Sequence, residues 1–101
     1  MEIRARDNER ELLLELSGEI DHHGARNALK GVEMAIDAAL PRLLTLDFSG
    51  VTFMDSSGIA LILRSQQRMQ LLEGSVVIRN IPAQAKRVLD AAGIGRLVSI
   101  K

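Results

Sequence analysis

A chain of 101 residues with thirteen basic and thirteen acidic side chains carries no net charge, and so offers no electrostatic footprint for DNA, RNA or an anionic membrane. It has no cysteine, which excludes disulfide frameworks, thiolate metal sites and cysteine nucleophiles. With 47% apolar and 26% charged residues, it is expected to form one folded domain with one core, burying about 60–70% of its unfolded surface.

Tryptophan and tyrosine are absent, and Phe48 and Phe53 are the only aromatics, which leaves little for stacking on bases. The N-terminus, MEIRARDNER, is charged where a signal peptide is apolar. No apolar stretch approaches the roughly 20 residues of a membrane span. The expected location is the cytoplasm, without membrane insertion.

Residues 2–6 and 11–17, EIRAR and ELLLELS, read as two short strands around the polar turn DNER. Leu12, Leu14 and Leu16 alternate onto one face, the period of a strand, and so short a join implies a hairpin. In the next segment Ala25, Ala28, Leu29, Val32, Ile36, Ala39 and Leu40 recur at three- and four-residue steps, the stripe of an amphipathic helix. Asp21 is placed to cap it, and Pro41 to end it.

LLTLDF, residues 43–48, is nearly all apolar and reads as a strand covered on both faces. SGVTF leads from it into a second helix over about 56–72, which Gly74 stops. SVVIRN at 75–80 is a further strand. Pro82 opens a third helix with Ala85, Val88, Leu89 and Ala92 on one side, and Gly93 terminates it. LVSI at 97–100 closes the chain as an edge strand.

The order is hairpin, helix, strand, helix, strand, helix, strand. Such alternation predicts an α/β fold with right-handed crossovers, a partly parallel sheet and helices packed on it. If strands 11–17 and 43–48 run parallel, the loops after them leave at the same edge. Asp21-His22-His23 and Asp55-Ser56-Ser57 then become neighbours at the edge where α/β proteins build sites.

The stretch FMDSSGIALIL at 53–63 holds the most chemistry. Aspartate and serine are preferred helix caps, and Gly58 allows close packing. One cap needs one such residue, however. With Asp55 as the cap, Ser56 stands at the first helical position with a free hydroxyl, where a phosphate would meet free amides and the positive helix end. The competing reading takes Ser56 as a hydrolase nucleophile with His22 or His23 as base. The G-x-S-x-G elbow is missing, since Met54 stands where glycine is needed, and no Gly-rich loop supplies an oxyanion hole.

His22 and His23 diverge by about 100° on a helix, and without a further His or Cys they make a weak metal site. Gly93-Ile-Gly95 follows a helix, so it terminates that helix rather than holding a dinucleotide. No P-loop is present, and nothing calls for a cofactor. Arg64, Arg68, Lys86 and Arg87 read as a solvated face.

GEIDHHGA at 18–25, LDFSGVTFMDSSGIALIL at 46–63 and IPAQAKRVLDAAGI at 81–94 together resemble the anti-sigma factor antagonist family. These are small bacterial proteins of STAS fold, a domain shared with the cytoplasmic ends of sulfate transporters, and the resemblance is closest to the sporulation-type branch. It covers essentially the whole chain, 1–101, as a single domain. It implies a non-enzymatic phosphoswitch in which Ser56 is phosphorylated by a partner anti-sigma factor with serine kinase activity. The unphosphorylated form binds that partner and frees the sigma factor; a phosphatase acting on phospho-Ser56 resets it. Asp21 and Asp55 belong by resemblance to the partner-facing surface, with His22, His23, Ser57 and Gly58 beside them. Family members usually continue into a C-terminal helix, which this chain, ending at Lys101, is expected to lack. The alternatives are a STAS subunit of a transporter or lipid-transport complex and, from another class, a serine hydrolase.

Overall fold

The computed structural model describes residues 1–101. Strands β1 (Glu2–Asn8) and β2 (Glu11–Ile20) form an antiparallel hairpin. Glu9 and Arg10 close it with left-handed backbone, φ 47° and 68°, the handedness that follows the twist of the flanking strands. Leu12, Leu14 and Leu16 are buried together, as their alternation predicts.

Helix α1 (His22–Ala39) starts at the Asp21 cap and buries Ala25, Ala28, Val32 and Ile36. Leu40, expected on that stripe, is 60% exposed. It is the left-handed residue that closes the helix, at φ 47°, and that turn takes its side chain off the apolar face. Strand β3 (Leu43–Met54), helix α2 (Ser56–Leu71), strand β4 (Ser75–Arg79), helix α3 (Ala83–Ala91), a 3-10 turn at Ile94–Arg96 and strand β5 (Ser99–Ile100) complete the order.

The sheet runs β1-β2-β3-β4-β5, with every pair after the hairpin parallel. The mixed α/β sheet expected from the sequence is therefore present. Each crossover moves one place in the same direction, so right-handed connections put all three helices on one face. Buried residues of α1, α2 and α3 accordingly join Leu44, Leu46, Phe48, Val76 and Ile78 in a single core. No helix of the chain is long and apolar enough to cross a membrane.

Four further expectations need correction. First, β3 is covered by helices on one face only, and Leu43 and Thr45 on the other are half-buried. Second, strands expected at 11–17 and 43–48 run on to Ile20 and Met54. Register shifts between Glu15 and Ser17 and between Gly18 and Glu19 let the pairing continue. Gly18 sits there at φ 96°, a backbone that side chains rarely adopt. Third, the strand expected at 97–100 is reduced to Ser99–Ile100, because the 3-10 turn uses the preceding residues and leaves Leu97 exposed. Fourth, Arg68 is not on a free solvated face. It bridges α2 to α1, with Nη1 3.2 Å from Glu33 and Nε 3.3 Å from Asp37. Arg64, Lys86 and Arg87 do face solvent.

One charge lies inside the fold. Asp47 is only 4% exposed, and a buried carboxylate must be paired. It accepts from the Ser49 amide at 2.9 Å, Arg79 Nε at 3.1 Å and Asn80 Nδ2 at 3.0 Å. Burial pushes its pKa up, but Ser49, Arg79 and Asn80 together outweigh it and hold the carboxyl below its ordinary value.

A carboxyl with a depressed folded pKa stabilises above its unfolded value, near 3.8, and that contribution is lost as pH falls through the folded value. Asp47→Ala should lower stability at neutral pH by about 1.5–3 kcal/mol. It should also flatten the loss of stability below about pH 4, read by urea denaturation across pH. Identical acid slopes in variant and wild type would show that other groups carry the effect.

Candidate functional site

The β2–β3 ladder outlasts its neighbours. Towards that end of the sheet, β1 last pairs at Glu2↔Ser17 and β4 at Asp47↔Arg79, while β2 and β3 stay paired to Ile20↔Met54. The next residues are Asp21 and Asp55, on strands that lie about 4.8 Å apart. The Asp55 amide donates back to the Ile20 carbonyl at 3.2 Å. The two polar clusters expected to converge are thus side by side.

Both aspartates are helix caps. Asp21 Oδ1 accepts from the Gly24 amide at 2.7 Å, and Asp55 Oδ1 from the Ser57 amide at 2.7 Å. Their backbones are extended in the same way, φ −106° and −109°. Helices α1 and α2 therefore begin together and present two positive dipole ends on one surface. The Gly24 amide is the main cause of a lowered pKa at Asp21; desolvation opposes it, and the His23 amide and charge lower it further.

Ser56 opens α2 and is exposed. Ser57 is half-buried and lines a groove of about 230 Å³ between the helix starts, with His22, Ala25, Arg26, Leu29, Ala60 and Leu61. Gly58 is buried, and a Cβ there would meet Met54 Cγ and Sδ at 2.5 Å. The close packing expected of this glycine is that of α2 on the end of β3. The amides of α2 are less free than expected. Ser57 donates to the Asp55 carboxylate, and Gly58 donates to the Asp55 carbonyl at 3.0 Å.

His22 and His23 are exposed on the first turn of α1, their rings edge to face with centroids 5.7 Å apart. The His–Ser–Asp alignment that a hydrolase needs is not assembled. The Asp21 and Asp55 carboxylates bond backbone amides, and the side-chain bonds of the chain include none from either histidine to a serine.

Two residues at this edge escaped sequence reasoning. Phe53 is 42% exposed, on the opposite face of β3 from buried Met54 and next to the Asp55 loop. Gln84, in the first turn of α3, bonds both backbone groups of Met54: it accepts from the amide at 2.9 Å and donates to the carbonyl at 2.8 Å. No motif points to it. Its only signal is a glutamine just inside a helix opened by Pro82.

A sheet that advances in one direction has no reversal of strand order and hence no crevice of the switch-point kind. The fold and its edge define an α/β domain whose candidate site is a surface of two capped helix starts. The chain belongs to the STAS domain family, whose pattern matches residues 2–101. It is 26% identical over 84 residues to the anti-sigma F factor antagonist of Lysinibacillus sphaericus, covering 83% of this chain and 72% of that one. It is 28% identical over 89 residues to that of Paenibacillus polymyxa, covering 88% and 76%. Among solved structures it resembles the anti-sigma factor antagonist SpoIIAA, at 23% identity. The TM-score is 0.83 for the unphosphorylated form, over 99% of this chain and 88% of that one. For the phosphorylated Bacillus form it is 0.74, over 99% and 91%.

The caps and the glycine can be tested by stability. Asp55→Ala should cost about 1 kcal/mol as α2 loses its cap. Gly58→Ala should cost about 1–3 kcal/mol, since the Cγ and Sδ of fully buried Met54 would have to shift. Both are read by urea denaturation, and a silent Gly58→Ala would mean that Met54 moves aside freely.

Proposed function

We propose that this chain is an anti-sigma factor antagonist switched by phosphorylation of Ser56. The observation that carries the reading is Ser56 itself: an exposed serine, unbonded through its side chain, at the start of α2 beside the Asp21 and Asp55 caps. The names of the curated relatives supply the partner class. In the unphosphorylated state the surface of Asp21, His22, His23, Asp55, Ser56 and Ser57, with Gly58 buried beneath it as the packing point of α2, binds an anti-sigma factor with serine kinase activity, and sigma is freed. A phosphatase restores that state after phosphorylation. The chain acts in the cytoplasm by binding, without catalysis or cofactor.

The phosphate acts by local charge and bulk. It brings about −1.5 to −2 charges to a surface that already holds two carboxylates. With the Ser57 and Gly58 amides engaged by Asp55, the phosphate gains mainly from the helix dipole, about 0.3–1 kcal/mol at an exposed end. Melting α2 would expose Leu61, Ile62 and Met69, all buried, at about 1.5–3 kcal/mol each. The helix stays, and the partner meets the charge.

Incubation with the cognate kinase and ATP should label Ser56 and leave Ser57 unlabelled, by peptide mapping. Label on Ser57 would overturn the assignment. Ser56→Ala should bind the anti-sigma factor and resist switching off, while Ser56→Asp should bind more weakly. A loss of about 1.4 kcal/mol is already tenfold in affinity. Equal affinity of wild type, Ser56→Asp and phosphoprotein would remove the mechanism.

The local character of the switch has its own measurement. Backbone NMR shifts on phosphorylation should cluster at residues 20–25 and 53–60. Large shifts through 43–48 and 75–80, or a melting temperature lower by many degrees, would make the switch conformational instead.

A further inference from the structure

We propose that Gln84 is the positioning residue of the phosphoacceptor: its carboxamide holds the β3–α2 junction in the place of a neighbouring strand. The proposal rests on the reading of Ser56 as the phosphoacceptor. Beyond Asp47↔Arg79, β3 has no strand on its β4 side, yet it continues for seven more residues to Met54. Met54 is fully buried, so its amide and carbonyl on that side cannot turn to water. Gln84 meets both, at 2.9 and 2.8 Å, with the donor and acceptor of one planar amide. That is the pairing a strand residue would supply. Leucine can make neither bond, and a carboxylate can only accept.

The hold extends into α2. The Met54 side chain lies directly beneath Gly58, so close that a Cβ would meet it at 2.5 Å. Asp55 follows Met54 in the chain and caps α2 through Ser57. Gln84 thus fixes Met54, Met54 fixes both the cap and the first turn, and Ser56 rides on that turn. Gln84 is itself anchored, because α3 buries Ala85 and Leu89 in the core. Transfer of a phosphoryl group demands an aligned hydroxyl, and a misplacement of about 1 Å can cost about a hundredfold in rate.

The test uses the full chain, Gln84→Leu and Gln84→Glu, with the cognate kinase and with backbone NMR. Gln84→Leu should lower kcat for phosphorylation of Ser56 by about ten- to a hundredfold, with KM for the kinase little changed. Its Ser57 and Gly58 amides should shift and exchange faster. In Gln84→Glu the ionised carboxylate accepts from Met54 but repels its carbonyl. Below the ordinary glutamate value of about 4.3 the protonated acid donates again, so the Ser57 and Gly58 amides should return towards wild type as pH falls. The comparison is with wild type at each pH, which cancels the pH effects common to every variant. A purely structural role would not produce that recovery, and this arm stands if Gln84→Leu fails to fold. Wild-type kcat in Gln84→Leu, or unmoved Ser57 and Gly58 amides in both variants, overturns the proposal. A wild-type chain that accepts no phosphate sinks the Ser56 reading, and the amide resonances then decide the Gln84 proposal alone.

Discussion

Everything at the candidate site depends on one ladder, the parallel pairing of β2 with β3 from Glu11↔Leu43 to Ile20↔Met54. It is the only pairing that reaches the carboxyl edge, and it delivers Asp21 and Asp55 at the same level. A slip of one residue would turn every side chain on β3 to the other face. Leu44, Leu46 and Phe48 would leave the core, and Asp47 would enter it without Arg79 and Asn80. The buried face therefore enforces the register, and the register places the site. The irregularities at Glu15–Ser17 and Gly18–Glu19 are absorbed before the last two pairs, so the aspartates still leave together.

Identical caps on adjacent helices create an electrostatic situation that neither would alone. Two helix starts bring two positive dipole ends together, and each is answered by a carboxylate bonded to its own first turn. The surface is then close to balanced, with the Gly24, Ala25, Ser57 and Gly58 amides already engaged by Asp21 and Asp55. Added negative charge finds those donors claimed and remains displayed outward. That is the property required of a mark that another protein must read, whereas an open nest of amides would have drawn the charge inward.

Much of this was legible in the chain itself. Alternation at Leu12, Leu14 and Leu16, the stripe from Ala25 to Ile36, and the aspartates at 21 and 55 fixed the elements and the caps through short-range patterns. The convergence of the two loops followed from parallel strands and right-handed crossovers. What stayed hidden was set by partners distant in sequence. Asp47 looked like part of an apolar strand because Arg79 and Asn80, which satisfy it, lie more than thirty residues on. The extension of β3 to Met54 depends on pairing with β2 and on Gln84, again thirty residues away. Leu40 failed for a local reason, a left-handed closing residue that interrupts the helical period.

The serine doublet divides two requirements that one hydroxyl could not meet. Ser57 gives its amide to Asp55 and faces a groove that Ala25, Leu29, Ala60 and Leu61 line together with His22 and Arg26. A half-buried dianion there would lose part of its hydration, which is costly for any charged group. Ser56 is one residue earlier, about 100° round the helix, and it is exposed. Charge added at that position keeps its water and leaves the packing of α1 on α2 untouched. The fold can thus be rigid at Ser57 and Gly58 and chemically open at Ser56, separated by one step of the same turn.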